Sequence, residues 1–442
     1  MFSNQALKNL IIPLFLEQLL VAFVGIADVF VIGFVSEAAV SGVSLVNSFN
    51  TIFLYLFIAL ASGGAVVISQ YIGKKDYDKA GETGSQLLLF SLIFSFLVEI
   101  VILLYNEQLM RLIFGRVEKE VMDACVTYLR ISAYSYPALA MYNAGTAMYR
   151  SFGKTDTTLY ISLVSNIINI IGNIIGVFVL HAGVPGVAYP SLIARVFSAL
   201  AITVLCFSMH NPIYYTKTWI FKWNKDLQRR ILGIAVPNGI ESGVFQLVKV
   251  ALSSVAALFG TYQIAANGVA QSIWNMSALV CVTMGPVYIT VIGQCMGAEN
   301  TQQAEYYFKK LTKATLLFAL LWNGLIFALT PFVMQFYALS PETKELVILL
   351  VLVHNIFNTI SFPLADPLGK GLRAAGDVKF TTVVSLFTSI GVRLIFAVLF
   401  GIYLDLGVMG IAYAMCLDWT IRGIIFWLRF KSGVWKHFKV IE

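Results

Sequence analysis

Long apolar segments separated by short polar ones extend along the whole chain. The apolar segments reach the ~20 residues that an α-helix needs to cross a bilayer. The pattern therefore predicts an all-α membrane protein with twelve transmembrane helices. Their expected positions are 9–35, 45–71, 84–105, 121–149, 158–180, 187–209, 231–258, 265–296, 311–333, 346–369, 381–404 and 407–430.

The sequence repeats itself at an offset of 224 residues, which predicts two homologous lobes of six helices each. We expect an N-terminal lobe at 1–209, a cytoplasmic linker at 210–230 and a C-terminal lobe at 231–442. Because six crossings is an even number, the lobes should be related by a pseudo-twofold axis along the membrane normal, as in many transporters. The recurring residues are Pro13 and Glu17 with Pro237 and Glu241, and Gly183 and Gly186 with Gly407 and Gly410.

Composition supports this interpretation, since 59% of the residues are hydrophobic and only 12% are charged. The net charge of +7 does not indicate a nucleic-acid partner, because Lys and Arg lie in short loops and form no continuous basic face. Twenty-one of them lie in one set of alternate loops and four in the other. The positive-inside rule then predicts a multi-pass protein of the inner or plasma membrane with both termini in the cytoplasm.

Ionisable and polar residues inside the spans are the candidate functional residues, because burying them in lipid is costly. Asp28 is expected in the outer half of the first helix. Asn169 and Asn173 share one face of the fifth helix, and Ser191 begins the sixth at a similar depth. Their oxygens suit Na⁺ or a protonatable carboxylate, so we predict a coupling-cation site there. The alternative is that the asparagines are hydrogen-bonding residues that hold helices together.

Glu241 is expected near the middle of the membrane on the seventh helix, after Pro237. We predict that it binds the cation or a cationic substrate. In the alternative interpretation its carboxylate pairs with Lys249 or another buried base. Glu17, which shares a face with Asp28, is a substrate-binding candidate.

Further candidates fall into two groups. Residues of the eighth helix suit an adaptable substrate cavity, although such stripes also occur in ordinary packing. Charged residues in the inner halves of other helices suit gates or structural ion pairs. The first group is Gln271, Trp274, Asn275, Met276 and Tyr288, and the second is Asp366, Arg373, Arg195, Arg393, Asp418 and Arg422.

No catalytic pattern is present in the sequence. The four histidines are scattered, no His/Cys metal motif occurs, and Gly73-Lys74-Lys75 lacks the leading glycine of a phosphate-binding loop. The five cysteines have no paired spacing. We therefore expect no enzyme activity and no cofactor apart from a coupling ion.

Several motifs, taken in order and in duplicate, resemble the MATE family of multidrug and toxic compound extrusion transporters. They are Pro13-Leu-Phe-Leu-Glu17-Gln, Ala27-Asp28-Val-Phe-Val-Ile-Gly33, Gln70-Tyr-Ile-Gly73, Tyr149-Arg150-Ser-Phe-Gly-Lys154-Thr and Gly371-Leu-Arg373-Ala-Ala-Gly376-Asp377. The resemblance implies an antiporter that exports organic cations in exchange for Na⁺ or H⁺.

The resemblance also implies roles for individual residues. Asp28, Asn169 and Ser191 match the cation-site positions of the family, and Glu241 matches the seventh-helix acid of one branch. Asn173 departs from the pattern, because many members have a second Asp there. This chain therefore has a single carboxylate at the expected site.

The function expected from the sequence is a monomeric secondary antiporter that exports small, amphipathic and cationic compounds by alternating access. The alternative within the same superfamily is a flippase for a lipid-linked oligosaccharide. A pyrophosphate headgroup calls for buried Arg and Lys, whereas the candidates expected to face the cleft are mostly acids.

Overall fold

The computed structural model describes residues 2–115, 117–337 and 339–441, and within these ranges all regular structure is helical. The chain divides into two compact units, Phe2–Gly239 and Ile240–Glu442. The boundary lies inside one long helix. The predicted all-α membrane fold is confirmed.

The N-terminal unit contains eight helices and the beginning of a ninth. They are α1 (Asn4–Ile32), α2 (Glu37–Gly73), α3 (Tyr77–Phe114), α4 (Lys119–Ala133), α5 (Tyr136–Ser151), α6 (Thr155–Ile174), α7 (Pro185–Cys206), α8 (Lys217–Phe221) and α9 (Lys225–Ala256). A π-helical turn, Ile175–Val179, extends α6. Helix α6 packs against both α1 and α7, which brings the polar residues of these three helices together.

The C-terminal unit begins within α9 and contains nine further helices. They are α10 (Thr261–Ser277), α11 (Leu279–Gly297), α12 (Thr301–Val333), α13 (Pro341–Ile360), α14 (Phe362–Ala365), α15 (Pro367–Ala374), α16 (Val378–Phe387), α17 (Ile395–Val398) and α18 (Gly407–Ser432). A π-helical turn, Thr388–Leu394, joins α16 to α17, and a second, Leu399–Tyr403, extends α17, so that Val378–Tyr403 forms one span.

Eleven segments of the described chain are long and apolar enough to cross a membrane. The twelfth predicted span, 121–149, is divided into α4 and α5. Proline explains the division, because Pro137 lacks an amide hydrogen and its ring clashes with the carbonyl of the residue four positions earlier. That residue is Ala133, at which α4 ends.

The predicted helix at 346–369 is also interrupted, and it continues further than expected. Pro363 and Pro367 lie in the first turns of α14 and α15, so each helix begins where a proline stops the preceding one. The segment ends at Ala374. These breaks expose backbone groups that an uninterrupted helix would pair internally, which a membrane protein tolerates only where neighbouring groups replace them.

Glycine permits a close backbone approach between α7 and the end of the preceding span. A Cβ atom on Gly186 would lie 2.7 Å from the carbonyl oxygen of Gly176. In the C-terminal unit a Cβ on Gly410 would likewise lie 2.7 Å from the Cα of Gly401. Small residues at such crossings let helices pack tightly in membranes.

We expect Gly186→Val to destabilise the N-terminal unit by about 1–3 kcal/mol, because the added atoms meet backbone that cannot move aside. The melting temperature of the purified protein measures this effect. Gly25→Val is the control, since a Cβ on Gly25 would meet nothing within 4 Å. Equal melting temperatures for the two variants would contradict the prediction.

Candidate functional site

The structure brings the four predicted cation-site residues of the N-terminal unit into one hydrogen-bonded chain. Asn173 Nδ2 donates to Asp28 Oδ1 at 2.6 Å and to Asn169 Oδ1 at 3.1 Å. Asn169 Nδ2 donates to Ser191 Oγ at 2.9 Å, and the Ser191 hydroxyl donates to the Val187 carbonyl at 3.1 Å. We call this set of four residues the Asp28 cluster.

The Asp28 cluster contains an acceptor without a donor. Asn169, Asn173 and Ser191 are buried and Asp28 is half-buried. Asn173 Oδ1 is buried and has no hydrogen-bond partner within the described residues. A buried oxygen that accepts no hydrogen bond is unfavourable, and more so next to a carboxylate. A cation or a hydrogen-bond donor that binds both oxygens would remove this cost. The cluster therefore has the chemistry of a small-cation or proton site.

Arg195 lies one helical turn beyond Ser191 on α7, near this cluster. It was predicted as a gate or ion-pair residue, but no carboxylate lies within salt-bridge distance of it among the residues that the structure describes. Its Nη1 instead donates to Ser135 Oγ at 2.7 Å. Ser135 lies at the break between α4 and α5, so Arg195 links that break to α7.

Both carboxylate oxygens of Glu17 accept hydrogen bonds from side chains of the N-terminal unit. Its Oε1 accepts hydrogen bonds from Tyr142 at 3.0 Å and from Arg150 Nη2 at 2.9 Å, and its Oε2 accepts one from Thr158 at 2.9 Å. With an exposed fraction of 2%, this carboxylate is committed to a structural network in this conformation and is not presented to a substrate.

Glu241 makes the corresponding contact in the C-terminal unit, where it forms a salt bridge with Arg373. Arg373 also donates to the hydroxyls of Thr381 and Ser385. Lys249, the base first considered as its partner, contacts aromatic rings instead. Each unit thus joins the repeated glutamate to an arginine in the last turn of a later helix of that unit.

Sequence reasoning did not identify Arg150 as the partner of Glu17 or Arg373 as the partner of Glu241. A signal for both was present, because Arg150 and Arg373 are each followed three residues later by glycine, at Gly153 and Gly376. The repeated Glu and the repeated Arg-x-x-Gly therefore form the same kind of ion pair inside each half of the sequence repeat.

We expect Glu241→Gln to lower the melting temperature and to reduce transport of cationic and neutral substrates alike, because it removes the carboxylate that forms a salt bridge with the buried Arg373. The double variant Glu241→Gln with Arg373→Met should recover much of the lost stability, since it removes both charges of the pair. Thermal unfolding and efflux of a matched cationic and neutral pair provide the measurements. Selective loss of the cationic substrate at an unchanged melting temperature would instead indicate that Glu241 binds cations.

The other predicted ion-pair residues of the C-terminal unit form two separate groups. Asp366 pairs with Lys370 at 2.8 Å and not with Arg373. Asp418 Oδ2 accepts from Arg393 Nε at 2.8 Å, while its Oδ1 accepts from Arg422 Nη2 at 2.7 Å. One buried carboxylate is therefore shared by two arginines.

The substrate candidates of the predicted eighth helix lie in different environments, because the helix is divided into α10 and α11. Trp274 is buried and stacks on Trp419 with ring centroids 5.7 Å apart. Tyr288 is fully buried, and its hydroxyl lies 2.8 Å from the hydroxyl of Thr312. It therefore occupies a packing position. Gln271 and Met276 are half-buried and Asn275 is exposed.

Comparison with known proteins agrees with this architecture. The family model described as MatE matches residues 13–175 and again residues 237–399, so both matches begin and end 224 residues apart. The chain is 26% identical to the uncharacterised transporter YisQ of Bacillus subtilis, covering 97% of this chain and 94% of that protein. It is 23% identical to the probable multidrug resistance protein NorM of Thermotoga maritima, covering 99% and 94%.

Solved structures show the same fold at low sequence identity. A crystal structure of MATE in the straight conformation superposes with a TM-score of 0.90 at 20% identity, covering 97% of this chain and 95% of the other. A crystal structure in the bent conformation gives a TM-score of 0.88 over 97% and 94%. The fold is therefore shared over nearly the whole length.

Proposed function

This chain belongs to the MatE family of membrane transporters, and from that premise we propose that it is a secondary antiporter which exports organic compounds in exchange for Na⁺ or H⁺. Relatives described as multidrug resistance or multidrug export proteins support export of small organic molecules. The observation that carries the coupling proposal is the Asp28 cluster, with its buried and unpaired acceptor on Asn173.

The Asp28 cluster lies on three helices, and its occupancy can therefore change how those helices pack. A cation would bind the carboxylate of Asp28 and the oxygen of Asn173, and it would satisfy the buried amide oxygen that otherwise has no hydrogen-bond donor within the described residues. A ligand shifts a conformational equilibrium only by the difference between its affinities for the two states. Coupling then requires that the cluster binds its ion more tightly in one facing state of the transporter.

The number of carboxylates favours a simple coupling scheme. Asp28 is the only acid of the cluster, and its neighbours are amides and a hydroxyl, which do not titrate near neutral pH. One Na⁺ or one H⁺ per cycle is therefore the stoichiometry that we propose. Two protons would require a second titrating group at this site.

Efflux from reconstituted vesicles tests the proposal. A fluorescent aromatic dye is loaded, and an inward Na⁺ gradient or an inward H⁺ gradient is imposed separately. We expect one of the two gradients to accelerate efflux and a cluster variant to abolish that response. Equal efflux with and without both gradients, in protein that is folded, would exclude cation coupling.

A further inference from the structure

The C-terminal unit holds more buried positive charge than negative charge at one place. Arg393, Arg422 and Lys249 all lie in this unit, but among the described residues Asp418 is the single carboxylate that pairs with the two arginines, and none pairs with Lys249. Arg393 is 1% exposed and Asp418 is fully buried. We call Lys249, Arg393, Arg422 and Asp418 the basic cluster. Buried charge of one sign is unfavourable unless a counter-ion is supplied from elsewhere.

Lys249 has no anionic partner within the described residues. Its Nζ lies 5.2 Å from the ring centre of Phe245 and 5.9 Å from that of Trp274. The guanidinium of Arg393 lies 4.9 Å from the same Phe245 ring. Both cations therefore contact the same aromatic ring. An anion that contacts both would offset the repulsion between two like charges in this region.

The half-buried Lys249 is not directed at lipid. At 100° per residue around α9, the strongly exposed Leu247 lies about 160° from Lys249 and the strongly exposed Val250 about 100° from it, so both point away from the side that carries Lys249. Lys249 and Phe245 instead share the side that packs toward the buried Trp274 and Arg393. A partly exposed ammonium on the face away from lipid is typical of a water-accessible ligand position.

The same region contains buried nitrogen atoms that lack partners. Trp274 Nε1 makes no hydrogen bond, and neither ring nitrogen of His354 does so, within the described chain. His354 is 1% exposed and its ring lies 6.5 Å from that of Trp419. An indole nitrogen can only donate, and both oxygens of Asp418 are already occupied by arginines. Because a neutral imidazole has one donor and one acceptor, Trp274 and His354 together leave two donors and one acceptor without partners, and a ligand that supplies acceptors would satisfy the donors.

From this charge surplus and donor surplus, we propose that the C-terminal unit binds an amphipathic organic anion. Its carboxylate or phosphate would contact Lys249 and Arg393, and its apolar or aromatic part would lie against Phe245 and Trp274. That the bound anion is also exported rests on the proposed transport function, whereas the binding itself does not.

The two units then differ in the charge of the ligand they select. At the repeat offset of 224 residues, the position corresponding to Asp28 is Leu252, which belongs to the apolar core of the C-terminal unit. The C-terminal unit thus lacks the carboxylate of the N-terminal cluster and contributes Arg393 and Lys249 instead. One unit is built for a cation and the other for an anion.

Calorimetric titration of the purified full chain in phosphatidylcholine nanodiscs tests the proposal directly. The probes are 2-naphthoate and the neutral isostere 2-naphthamide, which differ in charge but hardly in shape. We expect naphthoate to bind at least about tenfold more tightly than naphthamide, because only the anion compensates the buried cations. Equal affinities, or no binding of naphthoate, would overturn the proposal.

Three variants assign the effect to the basic cluster. Lys249→Met should weaken naphthoate about tenfold and leave naphthamide unchanged, since it removes only the charge near the aromatic rings. Lys249→Arg should retain naphthoate binding. Lys370→Met is the matched control, because Lys370 is another half-buried lysine of this unit but is paired with Asp366. Wild-type naphthoate affinity in Lys249→Met would refute the site.

Two further probes distinguish the natural source of the anion. Dihexanoylphosphatidate and dihexanoylphosphatidylcholine have the same short acyl chains, but only the first has an anionic headgroup. Tighter binding of phosphatidate than of naphthoate would support a lipid anion, whereas the reverse order would support a soluble organic acid. Lys249-dependent binding together with failure of gradient-driven efflux would retain the anion site and reject the transport proposal.

Discussion

Asp28→Asn is expected to abolish gradient-driven efflux while leaving the protein folded. The substitution preserves the size of the side chain and an oxygen that can accept the hydrogen bond from Asn173, but it removes the only carboxylate of the Asp28 cluster. Coupling free energies of 1–3 kcal/mol correspond to effects of up to ~150-fold. We therefore expect stimulation by the imposed ion gradient to fall by on the order of 100-fold.

The measurement is initial efflux from vesicles that contain equal amounts of purified wild-type or variant protein. Glu37→Gln is the matched control, because it also removes one carboxylate from the N-terminal unit but at an exposed position in the first turn of α2. Its gradient response should equal that of the wild type. Full gradient stimulation in Asp28→Asn, with an unchanged melting temperature, would remove Asp28 from the coupling mechanism.

Asp418→Asn is expected to cause the largest loss of stability. Asp418 is fully buried and accepts hydrogen bonds from Arg393 and Arg422, so neutralising it leaves two guanidinium groups without a counter-ion. Removing one partner from a buried ion pair typically costs about 3–5 kcal/mol. We expect the melting temperature to fall by on the order of 10 °C.

Thermal unfolding in detergent measures this loss. Glu305→Gln is the comparison variant, because Glu305 also contacts two basic residues, Lys309 and Lys436, but at a partly exposed position. Exposed pairs contribute at most about 1 kcal/mol. The prediction fails if both variants melt at the same temperature. A saturating organic anion should partly restore the stability of Asp418→Asn if it binds the basic cluster, since binding to the folded state alone stabilises it.

The membrane fold could be predicted from the sequence because its determinants are local. A span needs only enough consecutive apolar residues to hydrogen-bond its own backbone across the bilayer, and each segment carries that information itself. The repeat is likewise visible as recurring residues, and the family model matches both halves at the same offset. The division between α4 and α5 was missed although Pro137 was visible, because proline interrupts some membrane helices and not others: α1 continues through Pro13.

The candidate sites were also predictable from the sequence only in part. Helical periodicity placed Asn169 and Asn173 on one face of α6, and the packing of α6 between α1 and α7 then joined them to Asp28 and Ser191. The partner of Glu241 was not predictable from spacing, because Arg373 lies 132 residues away and the nearer Lys249 was the obvious alternative. Helical periodicity relates only residues that are close in sequence, so it cannot show whether Lys249 or Arg373 pairs with Glu241.

The sequence by itself determined which segments cross the membrane, that the chain contains two related halves, and which polar residues are buried within the spans. Only the tertiary structure decided which buried charges neutralise each other. It paired Glu17 and Glu241 with arginines and placed two arginines on Asp418, and it left Lys249 against Phe245 with no carboxylate from the part of the chain that the structure describes. The reason is physical: burial of a charge depends on its own segment, whereas compensation depends on a side chain that another helix brings within hydrogen-bond distance.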